Sequence, residues 1–148
     1  MSSALNSRIA RGAVVALVAG GAVTGMVELG SAAPAAGTHT LRFTTVQIGD
    51  HISGSYDVAA NKEVQNGKVA GYDVTDCFLN LHSHVANCAI TLARPEGMMR
   101  GTATLNLDSG TGTGVITGGT RAYRGVTGTI AAKSLSQMKT AVTITYHS

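Results

Sequence analysis

The sequence predicts an all-β protein, a small barrel or sandwich of about eight antiparallel strands, and three observations indicate this class. Beyond residue 37, apolar and polar residues alternate with a period of two, as they do in strands with one buried face. Threonine and valine, which favour strands, dominate these stretches. The chain of 148 residues has 19 glycines but only 13% charged residues, against about 25% in average globular proteins. This composition argues against a disordered tail or a solvated helical bundle, and the length suits one domain.

The first 36 residues are expected to be a signal peptide. Arg8 and Arg11 precede a weakly apolar run over residues 13–27, and a series of small residues ends at Ala36. This order is typical of exported proteins. The run contains glycine and threonine and falls short of the roughly 20 strongly apolar residues that a spanning helix needs. We therefore expect cleavage between Pro34 and Gly37, a secreted protein, and no stable membrane anchor.

Eight strands are predicted in the remaining single domain, residues 37–148. In order, they lie near Thr38–Ile48, Ser53–Ala59, Lys68–Leu81, Val85–Ala93, Met98–Leu107, Gly114–Thr117, Tyr123–Ser134 and Met138–His147. Residues with turn chemistry separate several of them, as at Asn66-Gly67 and Gly118-Gly119, because asparagine and glycine accept the positive φ that reversals need. Short connections between so many strands imply antiparallel pairing.

The two cysteines are placed to join across a hairpin. Cys77 and Cys88 share strand parity with the apolar residues of their strands, so both thiols are expected on the buried face. If the strands reverse near His82 and Ser83, the two cysteines lie directly opposite each other. An exported chain with two cysteines most simply forms one disulfide, and a pair of free buried thiols is the alternative.

Few residues indicate other chemistry. His82 and His84 form an H-x-H step that metal sites use, but the sequence does not show which further ligands would be near, so exposed turn histidines are the simpler interpretation. The glycine-rich segment 110–120 lacks the lysine and serine or threonine of a phosphate loop, and no G-x-S-x-G motif occurs. No lysine or arginine run marks a nucleic-acid surface. We therefore expect no metal, no cofactor and no nucleic-acid partner.

Carboxylates are denser between residues 50 and 76 than elsewhere. The aspartates among them are Asp50, Asp57, Asp73 and Asp76. A solvated rim of the domain explains this cluster, and a substrate-orienting or acid–base role in a pocket is the alternative.

The stretch from Gly118 to Gly128, GGTRAYRGVTG, resembles the signature G-G-T-G-x-[FY]-R-G-x-x-G of dirigent proteins and their bacterial relatives in the allene oxide cyclase barrel superfamily. The matching residues are Gly118, Gly119, Thr120, Tyr123, Arg124, Gly125 and Gly128. Arg121 replaces the third glycine of the signature, so a tighter or differently aimed turn is expected. The likeness covers most of the predicted domain, from about Leu41 to Tyr146. Its segments follow one another in the order expected of exported members of the actinobacterial type.

The resemblance implies an eight-stranded antiparallel β-barrel whose interior holds a hydrophobic small molecule. Plant relatives commonly form trimers, so a homo-oligomer, dimer or trimer, is expected. Relatives steer the cyclisation or coupling of reactive molecules by proximity in a dry cavity. An isomerase- or cyclase-like activity without strong acid–base chemistry is thus implied. A non-catalytic secreted barrel that acts as a ligand carrier or interaction module is the alternative.

The candidate pocket or rim residues are Asp50, Asp57, Tyr72, Tyr123 and Arg124. Arg124 matches the signature arginine and is expected to brace the turn through carbonyl oxygens rather than to contact a substrate. The glutamate of the cyclases has no counterpart, because Glu63 and Glu96 lie in predicted loops.

Overall fold

The computed structural model describes residues 37–148, which belong to one compact unit. Their eight strands are β1 (Thr38–Ser53), β2 (Tyr56–Gln65), β3 (Lys68–Asn80), β4 (Val85–Arg94), β5 (Gly97–Asn106), β6 (Thr111–Gly119), β7 (Thr127–Ser136) and β8 (Lys139–His147). Each strand pairs antiparallel with the next, and β8 pairs with β1, so the sheet closes into a barrel. The predicted fold class is confirmed. The predicted signal peptide lies outside the described residues.

The third, fourth, fifth and eighth predicted strands end within one residue of the observed ones, but β2 was predicted too short. It continues past Ala59 to Gln65. The added part carries Asn61 and Glu63, polar residues that are nevertheless buried inside the barrel. The polar sequence indicated a loop there. The strand continues because Asn61 and Glu63 have a hydrogen-bond partner and an ion-pair partner inside the barrel.

The hairpins alternate between two ends of the barrel. The β1–β2, β3–β4, β5–β6 and β7–β8 turns meet at what we call the open end. The β2–β3, β4–β5 and β6–β7 connections meet at the closed end, together with the start of β1 and the finish of β8. These two ends differ in how they are filled.

The main hydrophobic cluster fills the closed end. Its buried members are Phe43, Leu92, Met99, Ile116, Tyr123, Val126, Ile130 and Ile144. The β6–β7 connection contributes two of them, because it forms a single 3-10 turn (Arg121–Tyr123) before β7 begins. Tyr123 was predicted to start a strand, but it lies in this turn and packs edge-on against Tyr146 at 5.8 Å. The connection therefore acts as a plug.

The signature turn departs from its expected glycine at Arg121, which adopts φ +53°. This left-handed conformation is uncommon for residues with a side chain, and glycine adopts it at no steric cost. Thr120 accepts a hydrogen bond from the Met98 backbone N–H at 3.1 Å and its own N–H donates to the Met98 carbonyl at 2.8 Å. The turn therefore keeps the backbone conformation that glycine would favour and is tied to β5.

Cys77 lies opposite Cys88 in the β3–β4 ladder, and the two form a disulfide, as predicted. Such bonds persist in oxidising compartments, which fits a protein that matures outside the cytoplasm. Residues 37–148 contain no helix with the length and apolarity needed to cross a bilayer.

Candidate functional site

The barrel encloses a cavity of about 260 Å³ that reaches from its middle to the open end. Inward-facing residues of all eight strands contribute to its wall. Phe43, Leu92, Ile130 and Ile144 belong both to the wall and to the closed-end cluster, so they form its floor. At the other extreme the wall includes Gln137 in the β7–β8 turn. An eight-stranded barrel has room for one small ligand, and this volume agrees with that limit.

One side of the cavity is polar and acidic. Asp57 and Asn61 of β2 and Asp73 of β3 line it, and β2–β3 pairing sets Asn61 directly opposite Asp73. The Asn61 amide Nδ2 donates a hydrogen bond to Asp73 Oδ1 at 2.8 Å. Oδ2 of Asp73 and Oδ1 of Asp57 are buried and have no hydrogen-bond partner among the described residues. We call Asp57, Asn61 and Asp73 the acidic wall.

Asp73 is only 4% exposed, which affects its ionisation. Burial raises the pKa of this carboxyl above its ordinary value, and the hydrogen bond from Asn61 lowers it in part. Among the described residues that line the cavity, Asp57 and Asp73 carry ionisable groups, and none is a lysine, arginine or histidine. The cavity therefore has acidic groups without a compensating cation.

Apolar side chains line much of the rest of the cavity, and serine, threonine and glutamine side chains line it towards the open end. Ile90 and Leu105 lie on β4 and β5, and Ala132 and Val142 lie on β7 and β8. The Cys77–Cys88 disulfide also forms part of the lining, so neither thiol is available for chemistry. A molecule in the middle of the cavity would contact the acidic wall on one side and mainly apolar side chains elsewhere.

A buried ion pair lies beside the closed-end cluster. Arg94 Nε donates to Glu63 Oε2 at 2.6 Å, and the guanidinium stands 4.9 Å from the ring centre of Phe43. Gly71 makes room for this pair, because a Cβ there would be 2.9 Å from Arg94 Cγ. Burial raises the pKa of Glu63 to about 7, although the charge and hydrogen bond of Arg94 lower it in part. Glu63 was predicted in a loop, and this is wrong: it is an inward-facing residue of β2.

The five candidate residues from the sequence lie in different places. Asp57 lines the cavity. Asp50 is exposed on the part of β1 that extends beyond the start of β8, and Tyr72 is 54% exposed on the outer face of β3. Tyr123 is buried in the closed-end plug, where burial raises its pKa to about 12. The Arg124 side chain is exposed, and its backbone N–H donates to the Arg121 carbonyl at 3.1 Å.

Sequence reasoning placed Asp73 in the acidic cluster but not in the site, and it missed Asn61. Strand parity could have found Asp73, because it is two alternations from Cys77 and therefore shares its inner face. Asp50 and Asp76, by contrast, are exposed as a solvated rim would have them. The four carboxylates thus divide between the two interpretations.

The H-x-H histidines lie at the open end, outside the cavity. His84 Nδ1 is 2.7 Å from Asp108 Oδ1 across the tops of two hairpins. Within residues 37–148, no three histidine, cysteine or carboxylate side chains converge as a metal site requires.

An apolar patch covers the outside of β2 and β3, and we call it the outer apolar face. It consists of Tyr56, Val58, Tyr72, Val74 and Phe78, which are 40–57% exposed. The Tyr56 and Phe78 rings meet edge-on at 5.4 Å. Exposed apolar patches of this kind mark interaction surfaces.

Comparison with known proteins identifies the fold. No protein-family model matches the chain, and no curated protein sequence matches it. Among solved structures, pyocyanin demethylase superposes with a TM-score of 0.64 at 18% identity, over 73% of this chain and 99% of that one. A pterocarpan synthase dirigent protein superposes with a TM-score of 0.55 at 15% identity, over 76% of this chain and 84% of its own.

At these identities the likeness concerns the fold. It agrees with the closed eight-stranded barrel and with the resemblance of residues 118–128 to the dirigent signature. The chain therefore has the fold of the dirigent and allene oxide cyclase-like barrels.

Proposed function

We propose that this protein is an exported barrel that binds one small, largely hydrophobic molecule in its cavity and steers the cyclisation or coupling of that molecule. The observation that carries the proposal is the cavity itself, which begins at the closed-end cluster, reaches the open end, and has an acidic wall within a largely apolar middle. A solid barrel core would have offered no such space.

The cavity would act on its ligand by restricting its conformation. A molecule held between an apolar wall and fixed hydrogen-bond acceptors samples few geometries, and proximity of its reacting atoms lowers the barrier without a covalent intermediate. The Asp73 carboxyl group, held by the hydrogen bond from Asn61, would fix a polar atom of the ligand through its unpartnered Oδ2. The names of the two structural neighbours describe chemistry on small molecules, which is consistent with this role.

A non-catalytic carrier is the second candidate, and one observation favours it. Phe43 is the only aromatic residue among the described residues that line the cavity, so the wall offers little surface for stacking planar radicals or rings. The two candidates share the cavity and differ in whether the bound molecule reacts.

The test for the cavity replaces two neighbouring alanines of β7 by phenylalanine, one at a time. Ala132 lines the cavity, and its neighbour Ala131 is exposed on the outside. Binding of the neutral probe 2-naphthol, followed by its fluorescence, is expected for the parent protein and for Ala131→Phe. Ala132→Phe should weaken it at least tenfold, because the new ring occupies the ligand space. Equal binding by both variants would contradict the proposal.

The test for steering compares products. The protein is mixed with polyene, oxylipin and phenolic substrates, and the stereochemistry of the products is measured with and without it. A changed ratio for one substrate that Ala132→Phe abolishes supports steering. Unchanged ratios across the panel, together with binding of 2-naphthol, favour the carrier.

The outer apolar face would join copies of the barrel into a homo-oligomer. Its aromatic and branched side chains lie together on the outside of two paired strands, and apolar surface of this kind drives association. Export is supported by the disulfide and by the pattern of the first 36 residues.

A further inference from the structure

We propose that the ligand carries a positively charged nitrogen together with an apolar body, and that the nitrogen binds the acidic wall at Asp73. This inference rests on the proposed function, since it concerns the same cavity. It names the class of ligand: protonated amines and cationic nitrogen heterocycles, as opposed to carboxylates such as fatty-acid derivatives.

The charge of the lining is the first argument. Two aspartates face the cavity, and no lysine, arginine or histidine among the described residues does so. In a space with little water, charges interact more strongly than at a surface. An anion placed there would lose hydration and meet like charges, whereas a cation would find its counter-ion within the wall.

The unpartnered oxygen atoms are the second argument. Asp73 is 4% exposed, yet its Oδ2 has no partner among the described residues, and Oδ1 of Asp57 is also buried without one. Buried polar atoms are almost always hydrogen-bonded in native proteins. The oxygen atoms of an ionised carboxylate accept hydrogen bonds, so a ligand with N–H donors would supply the partners that these two atoms lack.

Asn61 fixes the orientation of the Asp73 carboxyl group. Its amide holds Asp73 Oδ1 at 2.8 Å, which leaves Oδ2 as the free acceptor of a fixed carboxyl group. Asp57 precedes Asn61 by four residues on β2, which is about 13 Å along a strand. The two acceptors therefore lie at different depths, with Asp73 near the floor and Asp57 nearer the open end.

The apolar part of the lining completes the description of the ligand. Ala132 lies across the barrel from the acidic wall, and Ile90, Leu105 and Val142 line the cavity on strands to either side. The cavity volume of about 260 Å³ accommodates a body of one or two fused rings with a short polar arm. A ligand of this size could set its nitrogen against Asp73 and direct a second donor, such as a hydroxyl group, towards Asp57.

The experiment compares three probes of one shape and three charges. They are 2-naphthylmethylamine, which is a cation at pH 7, 2-naphthol, which is neutral, and 2-naphthoate, which is an anion. Dissociation constants are measured by fluorescence titration. We expect the amine to bind at least tenfold more tightly than the carboxylate, with naphthol between them.

Two aspartate variants on β3 assign the preference. Asp73→Asn keeps the size of the side chain and a partner for Asn61, and it should reduce the preference for amine over naphthol about tenfold while naphthol binding stays within twofold. Asp76→Asn changes an exposed aspartate on the same strand and should leave all three constants unchanged.

The outcomes separate the two proposals. Binding of all three probes with equal affinity, tighter binding of the carboxylate, or a preference that survives in Asp73→Asn would overturn this inference and leave the ligand-binding cavity in place. If none of the three probes binds, the proposed function fails and the inference fails with it.

Discussion

Glu63 and Asp73 are carboxyl groups that the barrel removes from water in different surroundings. Asp73 has an amide beside it at 2.8 Å, and Glu63 has the Arg94 guanidinium at 2.6 Å. Burial raises the pKa of both groups, even with these partners present. The free-energy cost of removing an ion from water often exceeds its favourable interaction with a single partner. Both residues therefore make the stability of the barrel depend on pH.

The barrel is expected to lose stability as pH rises from about 5 to 8. The pKa of Glu63 in the folded protein is about 7, above its ordinary value of 4.5. Between these values the folded protein holds a proton that the unfolded chain releases, so the free energy of unfolding falls with rising pH, by up to about 3 kcal/mol. Asp73 acts in the same direction. Urea unfolding at pH 5 and pH 8 measures the difference.

Glu63→Gln is the control for this pH dependence. It keeps the shape of the side chain and cannot ionise, so most of the difference between the two pH values should vanish. A parent protein with the same urea midpoint at pH 5 and pH 8 would contradict the expectation.

The disulfide gives a second prediction at this scale. Cys77 and Cys88 are 11 residues apart, and a loop of this length contributes about 3 kcal/mol in the chain-entropy account. Replacing both by alanine should lower the free energy of unfolding by roughly that amount, measured in urea. Reductant should lower the midpoint of the parent protein and leave that of the double variant unchanged. An unaltered midpoint on reduction would show that the bond contributes little.

Among the elements, the β6–β7 connection matters most for the shape of the site, because it fills the closed end. It begins after Gly119, the last residue of β6, where three backbone segments approach closely. A Cβ at Gly119 would collide with the Met98 carbonyl oxygen and lie 2.6 Å from the Tyr123 carbonyl oxygen. This glycine is therefore required by close approach of backbone, which is a physical reason for its place in the signature.

Gly119→Ala is expected to destabilise the barrel by about 2 kcal/mol or more, because two backbone segments would have to separate. Gly49→Ala is the matched control: Gly49 lies in β1, and a Cβ there would have nothing within 4 Å. The measurement is the midpoint of thermal unfolding of the two variants beside that of the parent. Equal midpoints for both would mean that the connection shifts freely.

Most elements were predictable because turn chemistry and period-two alternation agree. The β3–β4 hairpin is the clearest case, since its reversal near residue 82 fixed the pairing of Cys77 with Cys88. The end of β2 was not predictable, because a strand that buries Asn61 and Glu63 looks polar in sequence. Their burial becomes favourable only when partners on β3 and β4 are in place.

For the whole molecule, the outer apolar face is expected to hold an oligomer together. Val74→Glu would bury a charge at the contact and should shift the mass measured by size-exclusion chromatography with light scattering to that of the monomer. Val115→Glu is the matched control, since Val115 is 48% exposed on β6 and Val74 is 47% exposed on β3. It should leave the mass of the assembly unchanged. A monomeric parent protein would refute this role of the face.

The candidate site is a property of the closed barrel, and this limited its prediction from sequence. Asp57 and Asp50 look alike in the chain, yet one faces the cavity and the other extends past the start of β8. The β1–β8 pairing stops at Val46, so Asp50 lies on a part of β1 without a β8 neighbour, and no residue pattern indicated where that pairing stops. Tyr123 and Arg124, which the signature singled out, belong to the plug instead of the cavity wall.

The start of β1 and the finish of β8 are adjacent at the closed end, where the Ser148 N–H donates to the Gly37 carbonyl at 3.3 Å. A short linker could therefore join residue 148 to residue 37, and the ring could be reopened at the Asn66-Gly67 turn of the same end. Such a circular permutant would keep every strand pair and leave the mouth of the cavity untouched. For the same reason, a barrel immobilised through residue 148 would present its cavity to the solution.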